Sequence, residues 1–442
     1  MPMDPESKMP LEEEGGEIPP EMTPEEVVQM GRHPVFTTHR TFEEMGLTEA
    51  ILKSIHHIGF KHPTPIQEAV IPKALEGRDL IGLAQTGSGK TAAFVIPLAE
   101  RIVHRAKGTA SSRGAPATGW SGAPTGLILC PTREIALQTK AFLELFGRHH
   151  RLRTACVIGG VKMGPQIREL ERRPDVVVAT PGRLLDHLER GNVRVDEIRE
   201  LVLDEADHML DMGFLPQIQA ILDRLPRQRQ TLMFSATMPP PIERLAQRYL
   251  IDPVRIDITP KGRAAEGITH RLYLVKDENK KPCLLSLLHQ ELGSTLIFTR
   301  TKVDAEWISR SLEKEQYPVT RIHSNRSQRE RVDALQGFRE GKFRILVATD
   351  IAARGLDIPA IEQVVNFDMT DTVEEYIHRA GRTARAGALG IVSTIATWQD
   401  KPMVKEIEKG LGQELARCTA PGVEPYLELK IKPFGRSGRR RR

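Results

Sequence analysis

The chain has 442 residues, 40% of them hydrophobic and 27% charged, with 63 Lys/Arg against 58 Asp/Glu and a formal net charge of +5. This composition excludes bulk disorder, and at roughly 100–200 residues per domain the length suits two large domains. No apolar run approaches the roughly 18–20 residues of a membrane span, and the acidic start (Glu12, Glu13, Glu14, Glu17) is not the basic region of a secretory signal.

Residues 1–39, rich in Glu, Pro and Met, read as a flexible acidic leader. A first α/β domain is expected over 40–258. Short apolar strands at Leu80–Ala84, Gly126–Cys130, Asp175–Ala179, Glu200–Asp204 and Thr231–Ser235 alternate there with helix-length segments. Runs such as LILC and DVVVA are apolar throughout, as in strands buried on both faces of a parallel sheet. The Gly/Ala/Ser/Pro segment 108–126 reads as a mobile surface loop. The alternation lapses at 259–267, an expected hinge. It resumes over 268–417, with strands at Thr295–Thr299, Phe343–Thr349, Gln363–Phe367 and Ile391–Ile395. A basic tail, 418–442, ends in KIKPFGRSGRRRR, a candidate non-specific tether for a polyanion. Cys130, Cys156, Cys283 and Cys418 form no CxxC pair, so reduced thiols in a cytoplasmic protein are expected rather than zinc or disulfides.

Two short segments carry the chemistry. LIGLAQTGSGKT places a strand before a Gly-rich turn and an apolar helix after it, the context a phosphate-binding loop requires. Backbone N–H groups of Thr86, Gly87, Ser88 and Gly89 would face phosphate, Lys90 would reach the β/γ-phosphates, and Thr91 would ligate Mg²⁺. Ala84 stands where the strict pattern has Gly. ELVLDEADHML sets Asp204 and Glu205 at the end of an apolar strand. Ligands bind outside strand C-termini in parallel sheets, so both carboxylates can share the phosphate site. Asp204 suits Mg²⁺ held largely through water; Glu205 suits the positioning or deprotonation of an attacking water.

With these segments in place, the chain resembles the DEAD-box RNA helicases of superfamily 2, from Phe42 to about Leu415. The resemblance implies two tandem RecA-like domains, ATP and Mg²⁺ as cofactors, RNA as partner and a monomeric ATPase. GFKHPTPIQ is similar to the Q motif, in which Gln67 would read the adenine edge and Phe42 would stack on its ring. Asp207, Ser235 and Thr237, with His378 and Arg379, match positions that couple the nucleotide site to its surroundings. PTREIALQ, Gly159–Gly160 and TPGR resemble RNA-backbone elements, implying contacts from Arg133, Gly160, Thr180 and Arg183. In the second half, Arg300, Gln328, Arg331, Thr349 and Asp350 fall at RNA-side positions and Asp357 at a ribose contact. Arg382 and Arg385 match the arginine fingers that stabilise transition-state charge. Aromatic residues are 5% of the chain, which favours backbone binding over base stacking. The phosphate loop alone leaves a DNA helicase, or an RNA clamp with slow ATP turnover, open. Retention of Lys90, Glu205 and both arginines favours a working ATPase that separates short duplexes or remodels RNA–protein complexes.

Overall fold

A computed structural model describes residues 40–84, 87–109, 123–147, 152–258, 267–290, 293–353, 361–384 and 389–424. The expected leader, the 110–122 part of the loop, hinge residues 259–266 and tail residues 425–442 lie outside them.

Seven strands build the first sheet: β1 (Leu80–Leu83), β2 (Gly126–Leu129), β3 (Thr154–Val157), β4 (Val176–Ala179), β5 (Glu200–Leu203), β6 (Gln230–Ser235) and β7 (Val254–Asp257). All pairings are parallel, in the order β3-β4-β2-β5-β6-β1-β7. The second sheet contains β8 (Ile268–Leu274), β9 (Thr295–Thr299), β10 (Val319–Ile322), β11 (Ile345–Thr349), β12 (Gln363–Asn366), β13 (Gly390–Ala396) and β14 (Ala416–Cys418). Its order, β10-β11-β9-β12-β13-β8-β14, repeats the first sheet element for element. The chain is therefore a tandem of two equivalent α/β units, as the two RecA-like domains require.

Each sheet has an apolar layer on both faces. Phe234 and Phe94 pack on one side of the first sheet with ring centroids 5.4 Å apart; Leu203, Met209 and Ile218 fill the other. Central strands β1, β2, β4, β5 and β6 are buried at every residue, which is why they read as unbroken apolar runs.

This topology sorts the C-terminal strand ends. β5, β6 and β1 are neighbours and lead into DEAD, SAT and the Gly-rich loop. β3, β4 and β2 are neighbours and lead into Gly159–Gly160, TPGR and PTRE. In the second sheet β11, β9 and β12 are adjacent, so the segments at Asp350, Arg300 and Asp368 converge.

Candidate active site

At the β1 end, Gly87 and Gly89 have φ of 86° and 92°, a region open to Gly at no steric cost. Gly89 is doubly constrained, because a Cβ there would collide with Gln67 Nε2 and Thr64 Oγ1. Gln67 is buried. Its Oε1 accepts from the Thr64 N–H at 3.0 Å and its Nε2 donates to the Gly89 carbonyl at 3.2 Å, so the Q-motif amide is fastened to the Gly-rich loop. The Lys90 ammonium is also buried and donates to the Ala84 carbonyl at 2.6 Å. Ser88 Oγ is buried and makes no hydrogen bond among the described residues, and Thr91 lies half-buried on the next turn.

The β5 end places two adjacent carboxylates in unlike surroundings. Asp204 is buried and its Oδ1 has no hydrogen-bond partner among the described residues. Desolvation, reinforced by the Glu205 charge and opposed by Lys90, raises its pKa to about 7. Glu205 takes a left-handed backbone, φ 50° and ψ 56°, a conformation that costs about 1–3 kcal/mol outside glycine and caps the Ala206–Asp211 helix. Desolvation pushes its pKa up. The hydrogen bond from His208 Nδ1 to its Oε2, at 3.0 Å, outweighs this with help from the charges of Lys90 and Arg382, for a net fall to about 2. Environments that drive neighbouring carboxyls apart separate their roles.

Asp207 ties this strand end to β6. Its Oδ2 accepts from the N–H groups of Ala236 and Thr237 and from Thr237 Oγ1 at 2.9–3.1 Å. Ser235 Oγ accepts from the Asp207 N–H at 3.2 Å and donates to the Thr237 carbonyl at 2.6 Å. DEAD and SAT thus form one rigid unit.

The second cluster of strand ends is cationic. Gly160 has φ of 73°, and a Cβ there would overlap the Arg133 guanidinium. Gly159 N–H donates to Thr180 Oγ1 at 3.3 Å, and Arg183 Nη1 donates to the Val161 carbonyl at 2.9 Å. Desolvation lowers the Arg133 pKa, and the charges of Arg331 and Arg183 push the same way, so three guanidiniums converge. Arg331 comes from the second domain, on the Gln328–Arg339 helix, whose start is set by a Ser327–Glu330 capping box. Its Nη2 pairs with Glu134 Oε1 at 3.1 Å across the cleft.

Residues 64–245 match the DEAD/DEAH box helicase family model, and 279–387 match the helicase conserved C-terminal domain model. A DEAD-box ATP-dependent RNA helicase of Bacillus cereus, CshA, is 40% identical over 392 residues, 88% of this chain and 71% of the relative. The chain belongs to the DEAD-box helicase family. The Bacillus subtilis ATP-dependent RNA helicase DbpA is 39% identical, covering 88% of this chain and 78% of its own. Among solved structures, Saccharomyces cerevisiae Dbp5 bound to RNA and ADP BeF3 superposes with a TM-score of 0.73 at 28% identity, over 86% of this chain and 96% of that one. Mss116 bound to ssRNA and UDP-BeF gives 0.75 at 26% identity, over 87% and 81%.

Two of the expected site residues have packing or ion-pair partners of their own in this DEAD-box protein. Phe42 is 1% exposed, stacked on Phe60 at 6.3 Å, and belongs to the core. Asp350 lies half-buried at the end of β11. Its two oxygens take Nε and Nη2 of the buried Arg379 at 2.7 and 2.6 Å, and Arg379 also donates to Asn366 Oδ1 and the Asp368 carbonyl. Asp350 is a strut for Arg379. Arg300 is exposed and donates to the Met369 carbonyl and Asp371. Thr349 ends β11, and His378 lies on the Val373–Ala380 helix with Arg379. Arg382 is buried, with its charge felt at Glu205. Thr86, Asp357, Arg385 and the Gln328 side chain lie outside the described residues. Sequence reasoning passed over His208 and Glu134. The spacing of His208, three residues beyond the Glu205 that caps its helix, was the available signal for the first.

Proposed function

We propose that this DEAD-box RNA helicase couples ATP turnover to closure of the interdomain cleft on RNA, which it grips by the backbone without reading sequence. The observation that carries the reading is division of the ATPase set. Lys90, Asp204 and Glu205 stand on the first domain, and the cation that bears on Glu205 from across the cleft, Arg382, stands on the second. Closure brings Arg382 to the phosphate site, where a finger arginine is worth roughly 10³–10⁵ in rate. It also brings Arg331 to Arg133 and Arg183, so RNA and ATP favour the same closed state and each raises affinity for the other. Release of phosphate reopens the clamp after strands of a short duplex, or an RNA–protein contact, have been parted.

The orphaned oxygen of buried Asp204 and the hydroxyl of Thr91 fit Mg²⁺ held largely through water. When bound, the ion neutralises charge on the β- and γ-phosphates. Glu205 then positions the attacking water, Lys90 holds the phosphates, and Gln67 stiffens the loop beneath them. Gly160, Thr180 and their neighbouring arginines meet the RNA backbone. The working unit is a monomer. Free cysteines support a cytoplasmic location; among the described residues no helix is long and apolar enough to cross a membrane.

The test is ATPase activity with matched RNA and DNA strands. RNA is expected to stimulate turnover and DNA is not; equal stimulation would reject the RNA-specific reading in favour of a DNA helicase.

A further inference from the structure

An open groove of about 970 Å³ runs across the Lys302–Lys314 helix of the second domain. Six cations line it, Lys281, Lys302, Arg310, Lys314, Arg321 and Arg326, against two carboxylates, Glu306 and Glu330. Glu306 sits at the centre of the cationic side. Its carboxylate takes Arg310 Nε at 2.9 Å, Arg321 Nε at 2.9 Å, Arg326 Nη2 at 3.2 Å and His323 Nε2 at 3.2 Å. Arg321 also pairs with Glu313, and Arg326 with Glu330 at 2.6 Å, so three carboxylates hold the three guanidiniums as a fixed wall and the excess positive charge of the groove comes from its lysines. Lys302 donates to the neutral Asn325 amide oxygen at 2.9 Å, and Lys281 and Lys314 have no carboxylate partner among the described residues. Beside this wall Trp307 is 51% exposed, braced on one side by Phe367 at 6.4 Å.

We propose that this groove is a second contact for single-stranded RNA, holding the part of the strand that leaves the interdomain cleft. The inference rests on the RNA helicase reading and extends it. Continuity decides the occupant. Arg326 immediately precedes Ser327, the cap of the helix that carries Arg331, and Lys302 is two residues beyond Arg300, so a strand passing these residues meets the groove next. The Lys302–Lys314 helix is about 18 Å long, enough for a few nucleotides. A flat ring flanked by spaced cations fits a stacked base with phosphates on either side. An acidic protein segment would instead seat its apolar residue in a closed pocket, whereas Trp307 and Val303 stand exposed at the surface.

The test compares uridine oligonucleotides of about 6 and about 16 nucleotides, bound by the full chain with a non-hydrolysable ATP analogue. The wild type binds the longer strand more tightly. Trp307→Ala should remove that advantage by about tenfold, and Trp307→Phe should keep most of it. Lys281→Gln with Lys314→Gln should reduce the salt slope for the longer strand by about 1.4. All variants should bind the short strand, and hydrolyse ATP with it, as the wild type does. Unchanged length advantage and salt slope, with the short strand still stimulating ATPase, would overturn the groove assignment alone. Failure of both strands to stimulate wild-type ATPase would instead bring down the helicase reading and the groove with it. Quenching of Trp307 fluorescence by an acidic, aromatic-containing peptide but not by the longer RNA would overturn the assignment in favour of a protein partner.

Discussion

Replacing Glu134 by Gln is expected to shift the cleft towards its open form by about tenfold. Glu134 and Arg331 meet across the domains at 3.1 Å, with side chains only 8% and 17% exposed. At an effective dielectric of about 20, unit charges at that separation attract by about 5 kcal/mol. Desolvation of the two ions takes back most of this, leaving about 1.5 kcal/mol, or about tenfold in the closed-to-open ratio. Opening returns both groups to water, so the loss falls on the closed state alone. Gln keeps the size and one acceptor and removes the charge. Energy transfer between dyes on the two domains, titrated with a non-hydrolysable ATP analogue without RNA, reads closure directly and avoids the separate proposed contact of Arg331 with phosphate. Glu134→Gln, Arg331→Gln and the double variant complete a cycle. A coupling below about 0.5 kcal/mol, within the scatter of independent sites, would refute the argument that this pair latches the cleft.

Glu205→Gln should retain ATP and RNA binding but lower turnover by about 10²–10⁴; single-turnover hydrolysis with saturating RNA checks it, and an unchanged rate would mean another group positions the water. Gly160→Ala should lose RNA affinity while keeping ATPase without RNA, because φ of 73° and the Arg133 guanidinium both exclude a Cβ; thermal melting should show a loss of about 1 kcal/mol or more. His270 is buried beside the Tyr376 hydroxyl at 2.9 Å, and desolvation drops its pKa from 6.5 to about 4. The unfolded chain therefore binds the extra proton first. Stability is full above pH 6.5 and falls by about 3 kcal/mol as the pH drops towards 4; urea titrations should show this, and His270→Asn should flatten it.

The central strands, and the motif segments that follow them, were legible because their physics is local. Leu127, Ile128 and Leu129 are buried on both faces, so burial writes itself as an apolar run. The four strands at the sheet edges, β3, β7, β10 and β14, were not legible, nor was β8. Val254–Asp257 alternates half-buried with exposed residues, and Ala416–Cys418 is largely exposed, so neither carries an unbroken apolar run. The packing of Phe42 against Phe60 was hidden for a related reason: an aromatic near a nucleotide motif looks like a stacking ring, and its core contacts come from the fold. The pairing of Asp350 was hidden because its partner, Arg379, is 29 residues away in sequence. Glu134 lies next to Arg133 in the chain, yet its role depends on a residue of the other domain. A string of letters does not encode which distant charge a carboxylate will meet.

That last point bears on how such a protein avoids idle hydrolysis. Within the first domain, Glu205 already has its hydrogen bond from His208, and Asp207 has locked SAT to DEAD, so the local machinery is assembled before any partner arrives. On the proposed mechanism, what the first domain lacks is positive charge facing the γ-phosphate from the other side, and Arg382 would bring it. A transition-state contribution worth 10³–10⁵ corresponds to about 4–7 kcal/mol, far more than the Glu134–Arg331 pair supplies to closure. Binding that is made only in the transition state does not hold the cleft shut beforehand, and a latch worth about tenfold does so only modestly, so on the proposed mechanism closure draws on a ligand that touches both domains. RNA bridging Arg133 and Arg183 to Arg331 is placed to do so. The same separation that leaves ATPase chemistry incomplete in one domain makes the strand the condition for completing it.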